Sequence, residues 1–209
     1  MNLDSLKESV ITGKAAEVEK LTREALSGGT KPQDILKTAL IPAMAIVGEK
    51  MKKNEFFIPE VLIAAKAMKS AMIVLKPLLT EEDMGSEGKV LLGTVKGDLH
   101  DIGKNLVMMM LEGAGFKVVD LGIDVSPEKF VNAVKAENPE IIGMSALLTT
   151  TMPAIKNTIE ALKQAGIRDQ VKVMIGGAPI TQNYANEVGA DGYAGDAPSA
   201  VDTAKKPLS

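Results

Sequence analysis

Cysteine and tryptophan are absent from this 209-residue sequence, and histidine occurs once, at His100. Without cysteine there is no disulfide and no thiolate metal site, which suits a reducing, cytoplasmic compartment. Aromatic residues make up only 3% of the chain. No apolar stretch approaches the ~18 residues of a membrane-spanning helix, so no membrane insertion is expected. Residues 1–5 contain no basic segment leading into an apolar run, so no secretory signal is expected either. The net charge is −3 and the pI about 5.4, with no basic block, which argues against nucleic acid as a partner. The plentiful components are hydrophobic residues, at 45%, and methionine, with 12 copies. That supply fills one large core or two modest ones. Methionine either fills irregular core gaps or lines a surface that yields to a changing partner.

The pattern divides in two. Residues 1 to about 80 read as helix, with segments near 4–12, 14–27, 32–53 and 58–79. Leu36, Leu40, Met44, Val47 and Met51 recur at three- and four-residue steps, as do Val61, Ala65, Met68, Met72 and Leu75. Pro42 removes one helical hydrogen bond and predicts a kink. Four amphipathic helices with short connections predict an antiparallel bundle. Residues 80–88 are polar and glycine-containing and read as a linker. From 89 onward strand and helix alternate, with strands at 89–95, 117–121, 141–144, 171–175 and 192–194. Helices fall at 103–115, 127–137, 152–165, 182–188 and 197–205. The predicted fold is therefore an all-α four-helix bundle over 1–88, linker included. An α/β Rossmann-like (flavodoxin-like) domain with a parallel five-stranded sheet follows over 89–209.

Ligands in such sheets bind beyond the carboxyl ends of the strands, where strand order reverses. The loop Gly97-Asp98-Leu99-His100-Asp101-Ile102-Gly103 leaves the first strand and carries the unique imidazole two residues after a carboxylate. That spacing suits a metal ligand with its orienting partner, because a ligating histidine usually donates its other nitrogen to a carboxylate. The loop after the third strand, 143–151, carries four hydroxyl residues, and Gly176-Gly177-Ala178 and Gly195-Asp196-Ala197 follow the fourth and fifth. A dinucleotide fingerprint and a Walker loop are both missing. Zinc is disfavoured, since one histidine without cysteine leaves only carboxylates to complete the site. A metal already held by a macrocycle needs only one protein ligand, which points to a tetrapyrrole-like cofactor.

Asp98-Leu99-His100-Asp101-Ile102-Gly103, the Ser145-Ala146-Leu147 loop and the Gly176-Gly177 loop resemble the three signatures of the cobalamin-binding domain. The helical half, including Asn54-Glu55-Phe56-Phe57-Ile58-Pro59-Glu60, resembles the cap of cobalamin-dependent methyltransferases. The whole arrangement is similar to the stand-alone corrinoid proteins of methanol, methylamine and methoxylated-aromatic methyltransferase systems, and to the cobalamin module of methionine synthase.

The resemblance implies a cobalamin or related corrinoid bound base-off, with His100 as the lower axial ligand of cobalt. It implies that Asp98 accepts a hydrogen bond from the other imidazole nitrogen and that a relay ends at Thr151. Ser145, Leu147 and Thr149 fall in the loop implied to border the displaced nucleotide tail, with Gly103, the Gly176-Gly177-Ala178 backbone and Ala197 along its path. Met51 and Ile58 align with the apolar cap over the upper corrin face, and Met68 and Met72 either extend that surface or fill the bundle core. The implied role is methyl carriage. Cobalt(I) takes a methyl group activated by a substrate-specific methyltransferase, and methyl-cobalt(III) passes it to an acceptor methyltransferase using a folate or thiol. A corrinoid reductive activator is an implied third partner, and linker 80–88 an implied hinge. A cobalamin-responsive regulator, a mutase cofactor subunit and a flavodoxin-like module without corrinoid are the alternatives.

Overall fold

A computed structural model describes residues 3–80, 83 and 87–206. Residues 81, 82 and 84–86 of the expected linker lie outside the described residues, as do the first two of the expected unsignalled start. The chain divides into two compact units, one of residues 1–86 with 112–116, the other of 87–111 with 117–209.

The helical unit follows the predicted stripes. Its helices are α1 (Leu3–Ile11), α2 (Ala15–Ser27), α3 (Pro32–Ile35), α4 (Ile41–Lys52) and α5 (Ile58–Leu75). Leu36, Leu40, Met44, Val47, Val61, Met68 and Leu75 are all buried. Each such side chain removed from water contributes about 1.5–3 kcal/mol, which is what holds helices of this length together. The segment expected to be one kinked helix is instead α3 and α4 joined by a π-helical turn, Leu36–Leu40. Pro42 lacks the amide that would close an ordinary turn, and its ring crowds the preceding carbonyls. The wider turn relieves that crowding, with the Ile41 amide reaching back to the Leu36 carbonyl. At the start of α5 the Glu60 carboxylate accepts the Phe57 amide at 2.9 Å, half of a capping box. Lys76-Pro77 stops α5 at Leu75, as the sequence predicts, and within the approximate 58–79 span only a single 3₁₀ turn, Lys76–Leu78, continues past it.

The second unit alternates β1 (Lys89–Val95), α6 (Ile102–Gly113), β2 (Lys117–Val125), α7 (Pro127–Glu137), β3 (Ile141–Ser145), α8 (Pro153–Gln164), β4 (Lys172–Gly176), α9 (Gln182–Val188), β5 (Gly192–Ala194) and α10 (Ala197–Lys205). Among the described residues the five strands form one parallel sheet in the order β2-β1-β3-β4-β5. Strands β1, β3 and β4 are buried nearly throughout, as strands covered on both faces must be. Leu91, Ile142 and Val173 lie in one core with Phe130 of α7 and Ile155 and Ile159 of α8. The order reverses between β1 and β3, so the loops leaving those strands flank a crevice. No helix among the described residues is long and apolar enough to cross a membrane.

One strand departs from expectation. β2 runs four residues past the predicted end at 121, through two shifts of register against β1 between Leu92 and Val95. Gly122 and Asp124 both take positive φ, +86° and +51°, which a periodicity argument reads as a turn. Strand pairing keeps the segment in the sheet as a bulged extension.

Candidate functional site

The loop between β1 and α6 is built around Asp98. Gly97 has φ +84°, a left-handed turn that swings the chain off the strand. The Asp98 side chain is fully buried, and five donors converge on it. Its Oδ1 accepts the His100 amide at 3.1 Å and stands 2.8 Å from His100 Nδ1. Its Oδ2 accepts the Leu147 amide at 2.8 Å and the Thr151 hydroxyl at 2.7 Å, with the Leu148 amide more distant at 3.4 Å. Burial pushes the Asp98 carboxyl up, but the hydrogen bonds from Thr151, Leu147 and His100 outweigh it and hold the group well below the usual carboxylate range. An ionised Asp98 only accepts, so Nδ1 carries the proton and Nε2 keeps its lone pair. His100 itself is half exposed. The Thr151 hydroxyl also lies 2.9 Å from the Leu148 carbonyl, but its single proton favours the charged acceptor.

The structure thus brings together Asp98, His100 and Thr151 across the crevice between β1 and β3. Leu147 joins them through its backbone, and its side chain is exposed. Thr149 is exposed and Ser145 half-buried on the same loop. Gly97, Leu99, Asp101, Ile102 and Gly103 are all exposed.

The glycines divide by what they accommodate. Gly177 has φ +129°, and a Cβ there would lie 1.9 Å from the Ala146 carbonyl oxygen. A Cβ on Gly176 would lie 2.7 Å from the Ala194 carbonyl oxygen. Close approach of protein backbone is enough by itself to require glycine at both positions, alongside the ligand approach that the sequence suggested. A Cβ on Gly103 would meet nothing within 4 Å, so nothing in the protein calls for its small size. Ala178 is exposed, but Ala197 is buried as the first residue of α10, behind a reciprocal cap between Asp196 and Ser199. It offers little surface to any ligand. In the helical unit Ile58 is exposed and Met51 and Met72 are half-buried, whereas Met68 is buried and belongs to the core alternative.

Two residues that periodicity did not single out hold this loop. The buried Thr94 hydroxyl, near the end of β1, donates to the His100 carbonyl at 2.9 Å. Asp124, in the bulged end of β2, accepts the Gly97 amide at 2.8 Å and donates its own amide to the Asp98 carbonyl at 3.0 Å. A threonine inside an otherwise apolar strand was the available signal for the first. For the second there was only a carboxylate just past an expected strand end.

Among the described residues no cluster of three or more His, Cys, Asp or Glu side chains could hold a bare metal ion. The donor set is one imidazole, suited to a metal whose other ligands arrive with it. Exposed Leu99 (67%) and Ile102 (76%) beside His100, with Leu147 and Leu148 on the loop after β3 and Ile123 in the bulged end of β2, offer apolar surface of the kind a large flat macrocycle covers. The vacant space over Gly103 adds room beside it. The residues present therefore fit a macrocyclic metal cofactor.

Comparison with known proteins agrees. Two family models, each described as a B12 binding domain, match residues 88–204 and 3–76. The chain is 43% identical over 209 residues to a corrinoid protein of Desulfitobacterium hafniense (strain Y51), covering 99% of this chain and 97% of that one. It is 43% identical over 207 residues to the dimethylamine corrinoid protein of Methanosarcina barkeri, covering 99% and 97%. A solved structure of the methanol:cobalamin methyltransferase complex MtaBC from Methanosarcina barkeri contains a chain similar at TM-score 0.84 and 30% identity, covering 96% of this chain and 75% of that one.

Proposed function

This chain belongs to the corrinoid proteins built from B12-binding domains, and from that premise we propose that it is a methyl carrier whose corrinoid is held base-off by His100. When bound, the corrinoid supplies a cobalt centre that takes up a methyl group and gives it up again. The chain's own residues do the rest. His100 offers Nε2 as the lower axial ligand, because its Nδ1 proton is committed to Asp98 at 2.8 Å, and this pair is the observation that carries the reading. Thr151 and the Leu147 amide keep Asp98 ionised and fixed, so the imidazole cannot change tautomer without losing a charge-assisted bond. Leu99 and Ile102 exclude water from beside the ligand. The loop carrying Ser145, Leu147 and Thr149, with the exposed Gly103 and Ala178, borders the displaced nucleotide tail. Met51 and Ile58 of the helical unit would supply apolar contacts to the cofactor.

The proposed partners are a substrate-specific methyltransferase, an acceptor methyltransferase using a folate or thiol, and a reductive activator, acting in the cytoplasm. Relatives named for dimethylamine and trimethylamine, and the methyltransferase seated in the MtaBC complex, support a partner enzyme that supplies the methyl group. The test is reconstitution with cob(III)alamin. The unaltered protein is expected to bind it and to show an absorption spectrum with histidine ligation. His100→Ala should still bind but lose that spectrum, and methyl transfer with a methylamine methyltransferase should slow. An identical spectrum for His100→Ala would refute the ligand assignment, and failure of the unaltered protein to bind would refute the function.

A further inference from the structure

We propose that Asp124 is a positioning residue for His100: it clamps the two-residue segment Gly97-Asp98 at its outer backbone groups, and through it the carboxylate that sets the imidazole tautomer. The inference rests on the reading of His100 as the lower ligand. Asp124 grips this segment at both ends, accepting the Gly97 amide at 2.8 Å on Oδ1 and donating its own amide to the Asp98 carbonyl at 3.0 Å. The third contact, Lys96 Nζ to Oδ2 at 3.1 Å, joins side chains 58% and 41% exposed, and an ion pair so open to water adds little.

The geometry explains why the clamp matters to the ring and not only to the fold. Asp98 Oδ2 is tied to the β3 loop through Thr151 and Leu147, whereas Oδ1 is tied to its own loop through His100. If the Gly97-Asp98 segment loosens, the carboxylate stays with the loop that holds Oδ2, and the contact to Nδ1 opens. The ring is then free to carry its proton on Nε2, where it cannot ligate a metal. Asp124 reaches this place only because β2 continues through its bulge with Asp124 at φ +51°, a conformation that aspartate tolerates better than most residues.

The sole histidine makes the test direct, because long-range ¹⁵N correlation spectra of the cofactor-free protein at pH 8 report one imidazole and no other. The unaltered protein is expected to show a dominant Nδ1–H tautomer. Asp124→Gly removes the carboxylate while keeping the amide donor and accepting positive φ, and should lower the Nδ1–H to Nε2–H ratio by about two- to fivefold, the upper figure being the size of one whole hydrogen bond. Asp124→Asn retains an acceptor for Gly97 and should restore the ratio, and Lys96→Ala should leave it unchanged. With cob(III)alamin bound, the histidine-ligated fraction should fall and recover in the same order. A native ratio in folded Asp124→Gly overturns the proposal, as does a lost ratio in Asp124→Asn; should the glycine protein not fold, Asp124→Ala also removes the acceptor, and a native ratio there overturns the proposal. If the unaltered protein binds no cobalamin, the functional reading fails while the tautomer ratios still judge the clamp.

Discussion

Replacing Asp98 by asparagine changes one atom in a buried site that has only donors facing it. The amide oxygen can serve one side of the site, and its NH₂ group must face the other. If NH₂ faces the β3 loop, the Leu147 amide loses its acceptor at 2.8 Å, and the Leu148 amide loses its more distant one. Thr151 can adapt there, since its proton can turn to the Leu148 carbonyl at 2.9 Å. If NH₂ faces the His100 side, only the His100 amide is left unpaired, because Nδ1 can accept from NH₂ once the ring proton moves to Nε2. Either arrangement strands at least one buried N–H, at about 1–3 kcal/mol, and turns the surviving charge-assisted bonds into weaker neutral ones. The sum is about 2–4 kcal/mol, or a fall in Tm of about 4–16 °C for a chain of this size. The second arrangement strands fewer amides, so we expect Asp98→Asn to invert the His100 tautomer as well. Thermal melts followed by circular dichroism, with the ¹⁵N tautomer spectra, measure both effects. The loss is expected in full at pH 7. A depressed carboxyl contributes fully above its unfolded pKa of about 3.9 and loses that contribution as pH falls through the folded value, so the gap between the two proteins should close only in acid. A Tm within 1–2 °C of the unaltered protein, about 0.5 kcal/mol, would refute the reasoning.

Two glycine substitutions separate what the fold needs from what a ligand needs. Gly177→Ala combines φ +129° with a Cβ 1.9 Å from the Ala146 carbonyl and should cost about 3 kcal/mol or more, read as a lower midpoint in urea. Gly103→Ala meets no protein atom within 4 Å and sits in the first turn of α6, so stability should hold or rise by up to about 1 kcal/mol. Its cobalamin affinity, measured by titration, should nonetheless fall if the corrinoid lies over that position, and unchanged affinity would remove Gly103 from the site.

Local chemistry made much of this protein legible before any tertiary contact was known. Helix and strand spacing are properties of neighbours in the chain, so the helical half and the parallel sheet followed from the apolar pattern. Asp98 and His100 are two residues apart, and a pairing that close needs only a turn. The same reasoning anticipated an irregularity at Pro42, but not that it takes the form of a π turn at Leu36–Leu40, because the surrounding helical packing selects between a bend and a wider turn.

What lay beyond the sequence was decided by strand pairing. Thr151 is 53 residues from Asp98, and the two meet because β1 and β3 are neighbours at the reversal of strand order. Gly177 looks like ordinary loop punctuation until the β3 and β4 ends bring Ala146 against it. Asp124 carries no local mark at all. Its place against the Gly97-Asp98 segment depends on a bulged register between β1 and β2, set by inter-strand hydrogen bonds that no periodicity encodes. The sequence alone therefore determined the candidate imidazole and its nearest carboxylate, and the tertiary structure determined what holds that pair still.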